Sequence, residues 1–338
     1  MTQYIVKTLF EAYKIIESTT GSKAIIDFIS GEMGNEVLLA QSLGGVFYDK
    51  HQQQNRVIAL TWQGCSLLYA NVSHDQIELD SDEISPEWNK DRYTTGEQRF
   101  NWLLQQQHRS RLRALSNIKA RLGPFWLSCG LTIGSYSRNG YFIKEGFYKQ
   151  YGRYWRIATN RLGKTQPVFD SGRPLVQDNY ISLFDRHERH DPKRNVPQWQ
   201  VHLFHRWATQ LGIKLVIISD LYPRKLPEGV IRIQSPHRDM TAIANIVQNS
   251  LLHGAPASGA GELAFVFGCN YVQLGDSSLT ISHLYNPLIF APVLRARGYK
   301  HFGIFNPENT WRRRLGKFNP HNLEIEAACF DYLKTCLT

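Results

Sequence analysis

The sequence predicts an α/β protein built as two Rossmann-like domains, and three observations carry that prediction. Short runs rich in Ile, Val and Leu, "AIIDFI" (24–29), "RVIALTW" (56–62), "NYISLFD" (179–185) and "KLVIISD" (214–220), have the length and composition of strands buried on both faces. Helical patterns lie between them, which is the alternation a parallel sheet requires. The alternation occurs twice, on either side of Arg173–Asp178, and 338 residues suit two domains of ordinary size. The expected division is residues 1–172 and 173–338.

In chain order, Ile5, Leu9, Tyr13 and Ile16 stand at helical spacing, so residues 4–17 are expected to form a helix that "TGSK" ends before strand 24–29. The Gly-containing loop "SGEMGNEV" (30–37) runs into a helical pattern, followed by strand 56–62. "SLLYANVSHDQIELD" predicts a short helix and an edge strand at Gln76–Leu79. A long basic helix is expected from Thr95, and the aromatic, Gly-rich stretch 123–172 is expected to hold strands and loops. In the second half, strand 179–185 is followed by a polar loop, a helix from Pro197 to Leu211 and strand 214–220. "GVIRIQ" (229–234) is a short strand, 240–255 a helix, "GELAFVFG" a helix, "YVQLG" (271–275) a strand, and "NLEIEAACFDYLKTCL" a terminal helix.

A hydrophobic content of 42% supports packed cores rather than disorder. The five cysteines never form a C-x-x-C pair and mostly have apolar neighbours, so they are expected to be reduced core residues rather than a zinc site. No apolar run approaches a membrane span, and the N-terminus lacks the apolar block of a signal peptide, so a soluble, cytoplasmic protein is expected. A formal charge of +10 favours an anionic partner: nucleotide, nucleic acid, lipopolysaccharide or anionic membrane face. Much of it sits in 108–121, 148–164 and 311–317. The middle segment mixes Tyr148, Tyr151, Tyr154 and Trp155 with Lys and Arg, which suits either an acceptor surface or an ordinary basic surface strand.

Ligands of open α/β sheets sit where loops leave the carboxyl ends of the strands, so four loops carry most weight. In "SGEMGNEV", Glu32 and Glu36 have two readings, a general base for an acceptor hydroxyl or negative charge at a helix N-terminus. The loop "DRHERHDPKRNVPQW" (185–199) gathers Arg186, Arg189, Arg194 and their neighbours directly after a strand. That density suits a phosphate clamp, or a solvated loop paired with its own acids. In "SPHRDMTA" (235–242), His237 and Asp239 suit contact with a base or ribose, with helix capping by Asp239 as the alternative. The fourth loop leads into "SGAGE". Ser258, Gly259, Ala260 and Gly261 leave helix N–H groups open to a phosphate, or simply permit a tight turn. Glu262 there accepts from a sugar hydroxyl or interacts with the helix dipole.

The two-domain plan, "GEMGNEV", "DPKRNVPQW" and "SGAGELAFVFGCNYVQLGD" together resemble glycosyltransferases of the GT-B fold, closest to the heptosyltransferase-like and fucosyltransferase-like branches. The resemblance covers about half the chain. It implies two Rossmann-like domains facing a cleft, a nucleotide-diphospho-sugar donor in the C-terminal domain, and a glycan, lipid-linked or other hydroxyl acceptor in the N-terminal one. It further implies that Arg186, Arg189, Arg194 and Asn195 hold donor phosphate or ribose, that Ser258–Gly261 hold the diphosphate, and that Glu32 or Glu36 is the catalytic carboxylate. Where the heptosyltransferase loop has Gly-Asp, this chain has Gly34-Asn35-Glu36, which leaves the base between the two glutamates. No metal or other cofactor is expected, and Asp80-Ser81-Asp82 is expected to be a solvated acidic loop. Glycan or polysaccharide biosynthesis, at the inner membrane face or free in the cytoplasm, is the expected setting. A nucleic-acid-binding protein, or a glycosyltransferase acting on modified DNA, is the alternative.

Overall fold

The computed structural model describes residues 2–27, 37, 40–80, 125–128, 161, 169, 171–185, 195–219, 224–234, 239–256, 259–274, 291–303 and 322–338. The chain forms two compact units, Met1–Pro167 and Val168–Thr338. The expected long helix from Thr95 and most of 123–172 lie outside the described residues.

The first unit holds a parallel sheet of β1 (Thr2–Val6), β2 (Lys23–Asp27), β3 (Arg56–Trp62), β4 (Asp75–Leu79) and β5 (Trp126–Ser128), in the order β1-β4-β3-β2-β5. Its start corrects the expected helix over 4–17. Residues 2–6 pair with β4, and helix α1 begins only at Leu9 and ends at Ser18. The boundary is set by a capping box: the Thr8 hydroxyl accepts from the Glu11 N–H at 3.2 Å, and the Glu11 carboxylate accepts from the Thr8 N–H at 3.2 Å. Ile5 is in helical phase with the residues after it, yet it stands on the wrong side of that cap.

Because β1 occupies the edge, β4 is not the edge strand its polar residues suggest. It lies between β1 and β3 and is buried along its whole length. Its acids are satisfied rather than solvated. Asp75 takes both arms of the Arg56 guanidinium, and Glu78 accepts from Gln3 Nε2 at 2.6 Å and from the Gly64 N–H at 3.2 Å. The hydrogen bond from Arg56 holds the Asp75 carboxyl below its ordinary range. Asp80 is also buried and ion-paired with Lys7, which corrects the expectation of a solvated acid there; Asp82 lies outside the described residues. Between β2 and β3, a π-helical turn (Ala40–Gly44) leads into α2 (Gly45–His51); between β3 and β4, a 3₁₀ turn (Ser66–Tyr69) fills the place of the expected short helix.

The second unit holds six parallel strands, β6 (Tyr180–Asp185), β7 (Lys214–Ser219), β8 (Ile231–Gln234), β9 (His253–Pro256), β10 (Tyr271–Leu274) and β11 (His301–Gly303), in the order β11-β10-β9-β6-β7-β8. Its helices are α3 (Gln198–Leu211), α4 (Met240–Gln248), α5 (Gly259–Phe267), α6 (Ala291–Ala296) and α7 (Asn322–Thr335). Helix α3 is capped by Pro197 at its start and by Gly212 at its end, whose φ of +65° gives the left-handed stop that glycine adopts without strain. One face of α3, with Val201, Phe204 and Ala208, packs on Ile181, Leu183, Leu215 and Ile217; Cys329 and Leu333 of α7 join the same core. Among the described cysteines, Cys65, Cys269 and Cys329 are buried free thiols and Cys336 is a half-buried one.

Strand β9 corrects the expected helix over 240–255, which ends at Gln248. "HGAP" has none of the branched residues that mark its neighbours, and the reason is close approach. A Cβ on Gly254 would stand 2.5 Å from Cζ of Phe204, so α3 packs on bare backbone there. Helix α6 and strand β11 had no counterpart in the sequence-based expectation.

On the opposite face, His253, Tyr271 and His301 lie in register across β9, β10 and β11, and the His253 Nδ1 and Ser182 hydroxyl share a hydrogen bond at 2.8 Å. Burial pushes the His301 imidazole down to about 4, with Arg295 adding to the shift. Between pH 6.5 and 4 the unfolded chain therefore takes up a proton that the folded chain refuses, so His301 costs stability as the pH falls. The expected loss from this residue is about 3 kcal/mol between pH 7 and pH 4. Urea unfolding of the wild type should show a steeper acid decline than His301→Phe over that window. Parallel profiles would contradict the burial argument.

Candidate functional site

In a doubly wound sheet the crevice for a ligand opens at the carboxyl ends of the two strands between which the strand order reverses. In the second unit the chain moves outward from β6 through β7 to β8, then returns to the other side of β6 for β9, β10 and β11. The reversal lies between β6 and β9. Strand β6 ends at Asp185, directly before the arginine-rich residues 186–194, and β9 ends at Pro256, three residues before α5 begins. The ends of the two strands that precede two of the four sequence-selected loops therefore lie side by side, although they are about 70 residues apart in the chain.

The first unit repeats the device. From β2 the chain moves through β3 to β4, and β5 returns to the other side of β2. The reversal lies between β2 and β5, and β2 ends at buried Asp27, directly before the segment with Glu32 and Glu36. Asp27 raises the pKa of Tyr13 of α1, a buried phenol already pushed up by desolvation. Glu32 and Glu36 themselves lie outside the described residues. So do Arg186, Arg189, Arg194, His237 and Ser258.

Among the expected site residues that are described, Asn195 is half-buried just before buried Val196, at the far end of the basic loop. Asp239 is the N-cap of α4: its carboxylate accepts from the Ala242 N–H at 3.0 Å. Gly259, Ala260, Gly261 and Glu262 form the first turn of α5. Gly261 has a packing reason to be glycine, since a Cβ would stand 2.5 Å from the Tyr271 hydroxyl and 2.9 Å from the Pro256 carbonyl oxygen. The same hydroxyl donates to the Ala255 carbonyl at 3.2 Å, so the helix start is seated directly on β9 and β10.

Two residues not singled out from the sequence stand at the same edge. Asp185, buried at the end of β6, is held by Arg224 from the segment after β7: Nε donates to Oδ2 at 2.9 Å and Nη2 to Oδ1. Arg224 Nη2 also donates to the Val196 carbonyl at 2.8 Å. Their available signal was position, an acid closing one strand and an arginine following its neighbour. In the first unit, Arg161 of the basic 148–164 segment is engaged with Asp49 (2.7 Å) and the Gln41 carbonyl (3.0 Å), which removes it from any free cationic surface there. Two histidines of that unit are engaged by the fold as well. His74 Nδ1 accepts from the Val57 N–H at 2.9 Å, and His51 is packed on Phe47 and Phe125 with its pKa lowered by burial. Among the described residues no three His, Cys, Asp or Glu side chains are placed to hold a metal ion, and no helix is long and apolar enough to cross a membrane.

These features define a protein of two doubly wound parallel α/β units, the construction expected from the sequence. No protein-family profile matches the chain, and no curated protein matches it. Glycosyltransferases are among the solved structures similar to it. The glycosyl transferase family 9 protein from Veillonella parvula is 13% identical with a TM-score of 0.46, over 94% of this chain and 98% of that one. The dodecameric iron-containing heptosyltransferase TibC, solved with ADP-D-beta-D-heptose, is 16% identical with a TM-score of 0.45, over 86% of this chain and 65% of that one. The spinosyn forosaminyltransferase SpnP is 11% identical with a TM-score of 0.41, over 93% of this chain and 95% of that one. The fold class rests on the two sheets themselves.

The seating of α5 generates a test. Gly261→Ala should destabilise the second unit by about 1–3 kcal/mol, the usual cost of overpacking. Adding Tyr271→Phe should recover part of that loss, because it removes the nearer of the two clashing atoms. Urea midpoints of the single and double variants measure this, and strictly additive losses would contradict it.

Proposed function

We propose that the chain is a GT-B-type glycosyltransferase that moves a sugar from a nucleotide-diphospho-sugar to a hydroxyl acceptor, with inversion at the anomeric carbon and without a metal. The observation that carries this reading is the position of both strand-order reversals. Each falls at a strand leading straight into chemistry: β2 into Glu32 and Glu36, β6 into Arg186, Arg189, Arg194 and Asn195, and β9 into the glycine-rich start of α5. A helix start with small residues presents N–H groups to a diphosphate, and arginines add forked, permanently charged donors. Ser258–Gly261 and the arginines are the proposed diphosphate site. His237 and Glu262 are proposed to touch base, ribose or sugar. Asp239 is proposed to contribute as well, although its helix-capping hydrogen bond already occupies one carboxylate oxygen.

In the proposed reaction the acceptor oxygen attacks the anomeric carbon as the bond from that carbon to the diphosphate oxygen breaks. The electron pair leaves with the nucleoside diphosphate, whose growing charge is met by arginine and helix N–H groups. The acceptor proton passes to Glu36, or to Glu32. The resulting C–O bond lies on the face opposite the departing group, which is inversion. Synthesis of a glycan or polysaccharide in the cytoplasm, with the basic segments against an anionic membrane face, is the proposed setting.

Two measurements test this reading. Arg194→Ala should weaken nucleoside-diphosphate binding by roughly 1.5–3 kcal/mol, the worth of a hydrogen bond to a charged group. Calorimetry giving an unchanged affinity would remove the 186–194 loop from the site. Glu36→Gln or Glu32→Gln should lower kcat by about 10²–10⁴-fold while leaving donor affinity nearly unchanged, and a chelator should not slow the wild type. Full kcat in both variants would leave the proton with another group. Salt-sensitive binding of generic DNA with no nucleotide binding would favour a nucleic-acid-binding protein instead.

A further inference from the structure

Strand β10 carries a buried side chain whose amide N–H groups the fold does not use. Gln273 is 1% exposed, and its Nε2 has no hydrogen-bond partner. Leaving a buried donor unmatched costs stability, so a polar side chain kept in that state calls for a reason outside the fold. Its position supplies one. Successive strand residues alternate between faces, so Gln273 stands on the same face as Tyr271, whose hydroxyl lies against Gly261 of α5. Two residues further along the strand, Gln273 is about 7 Å nearer the carboxyl edge of the sheet. Because β9 and β10 are parallel, α5 starts at that edge and runs back from it, which sets Gly259 and Ala260 beyond Gly261 in the same direction. The unmatched amide and the open N–H groups of the helix start are therefore neighbours. Across the sheet Gln273 lies in register between Ala255 and Gly303, so a single methyl group flanks it. An amide, whose last torsion is broad, has room to turn there.

We propose that Gln273 is a donor-binding residue: its Nε2 donates to a diphosphate oxygen held at the start of α5, which adds a side-chain donor to the helix N–H groups. The proposal rests on the reading of that helix start as the diphosphate site. A neutral amide suits this place better than lysine or arginine would. A cation buried this deeply without a carboxylate partner is costly in the unliganded protein, whereas an amide carries only the smaller cost of unmatched N–H groups. Binding of the diphosphate matches one of them and removes its cost. Ser219 offers a contrast. Its buried hydroxyl also lacks a hydrogen-bond partner and also stands at the carboxyl end of a strand, but it alternates with the faces of β7 to lie on the side of Leu215 and Ile217, toward α3.

The test is read on the full chain as opposite changes in stability and binding. Gln273→Met keeps the length of the side chain without its polar atoms. Its urea midpoint should lie above that of the wild type, since the unmatched donor is gone. Its affinity for whichever of ADP, GDP, UDP and dTDP the wild type binds best should fall about tenfold or more by calorimetry, the loss of a hydrogen bond to a charged group. Ser219→Ala, which removes an unmatched group from the other face, should keep that affinity. An equal loss there would overturn the proposal. So would a lowered midpoint with unchanged affinity in Gln273→Met, the pattern of an amide that serves the fold. Unchanged affinity in that variant, with a wild type that binds a diphosphate, overturns the role of Gln273 and leaves the helix-start reading in place; a wild type that binds none of the four overturns both. Gln273→Leu is the second variant, and failure of both substitutions to fold would overturn the proposal by making the amide a requirement of the sheet.

Discussion

A parallel sheet sends every strand out through the same edge, and helices must return the chain across one face or the other. Where the strand order reverses, the flanking helices lie on opposite faces, and the backbone leaves a crevice between the loops that neither helix can cover. That constraint organises both units of this protein. In the second, it brings the end of β6 and the end of β9 side by side, although about 70 residues separate them in the chain. The proposed chemistry depends on this geometry before it depends on any single side chain.

Holding the crevice open requires that the elements around it fit closely, and the chain gives up side chains to achieve this. Gly254 lets Phe204 of α3 rest on the backbone of β9, and Gly261 lets the start of α5 sit on the Tyr271 hydroxyl. The two glycines serve opposite faces of the sheet. Together they hold β9 between α3 and α5, which fixes where the first turn of α5 points. Buried polar groups near the same strands are mostly paired rather than removed: Tyr180 donates to the Ile246 carbonyl at 2.9 Å, Asn245 ties the 171–175 segment to α4, and Asp185 is gripped by Arg224. Such pairs are costly to break singly, since the partner left behind stays buried and unsatisfied.

Elements whose signal is local were legible in the sequence. β3, β6 and β7 are continuous apolar runs, and α3 has both its proline start and its glycine stop. Elements defined by a distant partner were not. β1 is a strand because β4 accepts it, while Ile5 shares the helical phase of the residues that follow the Thr8–Glu11 capping box. β9 is a strand because its neighbours in the sheet are strands and α3 needs its bare backbone. The site divides in the same way. Loops that follow strong strands could be picked out, because the carboxyl end of a strand is a sequence position. Arg224 could not, because its partners Asp185 and Val196 lie 39 and 28 residues away and only the fold brings them within reach.

The central claim is that a nucleoside diphosphate binds at the strand-order reversal of the second unit. Backbone hydrogen exchange of the intact chain, with and without ADP, GDP, UDP and dTDP, tests it most directly. At least one of these should slow exchange in peptides covering 185–196 and in those covering 256–263, while leaving peptides from the buried core of α3 unchanged. Protection confined to other segments, or none with any of the four at saturating concentration, would contradict the account.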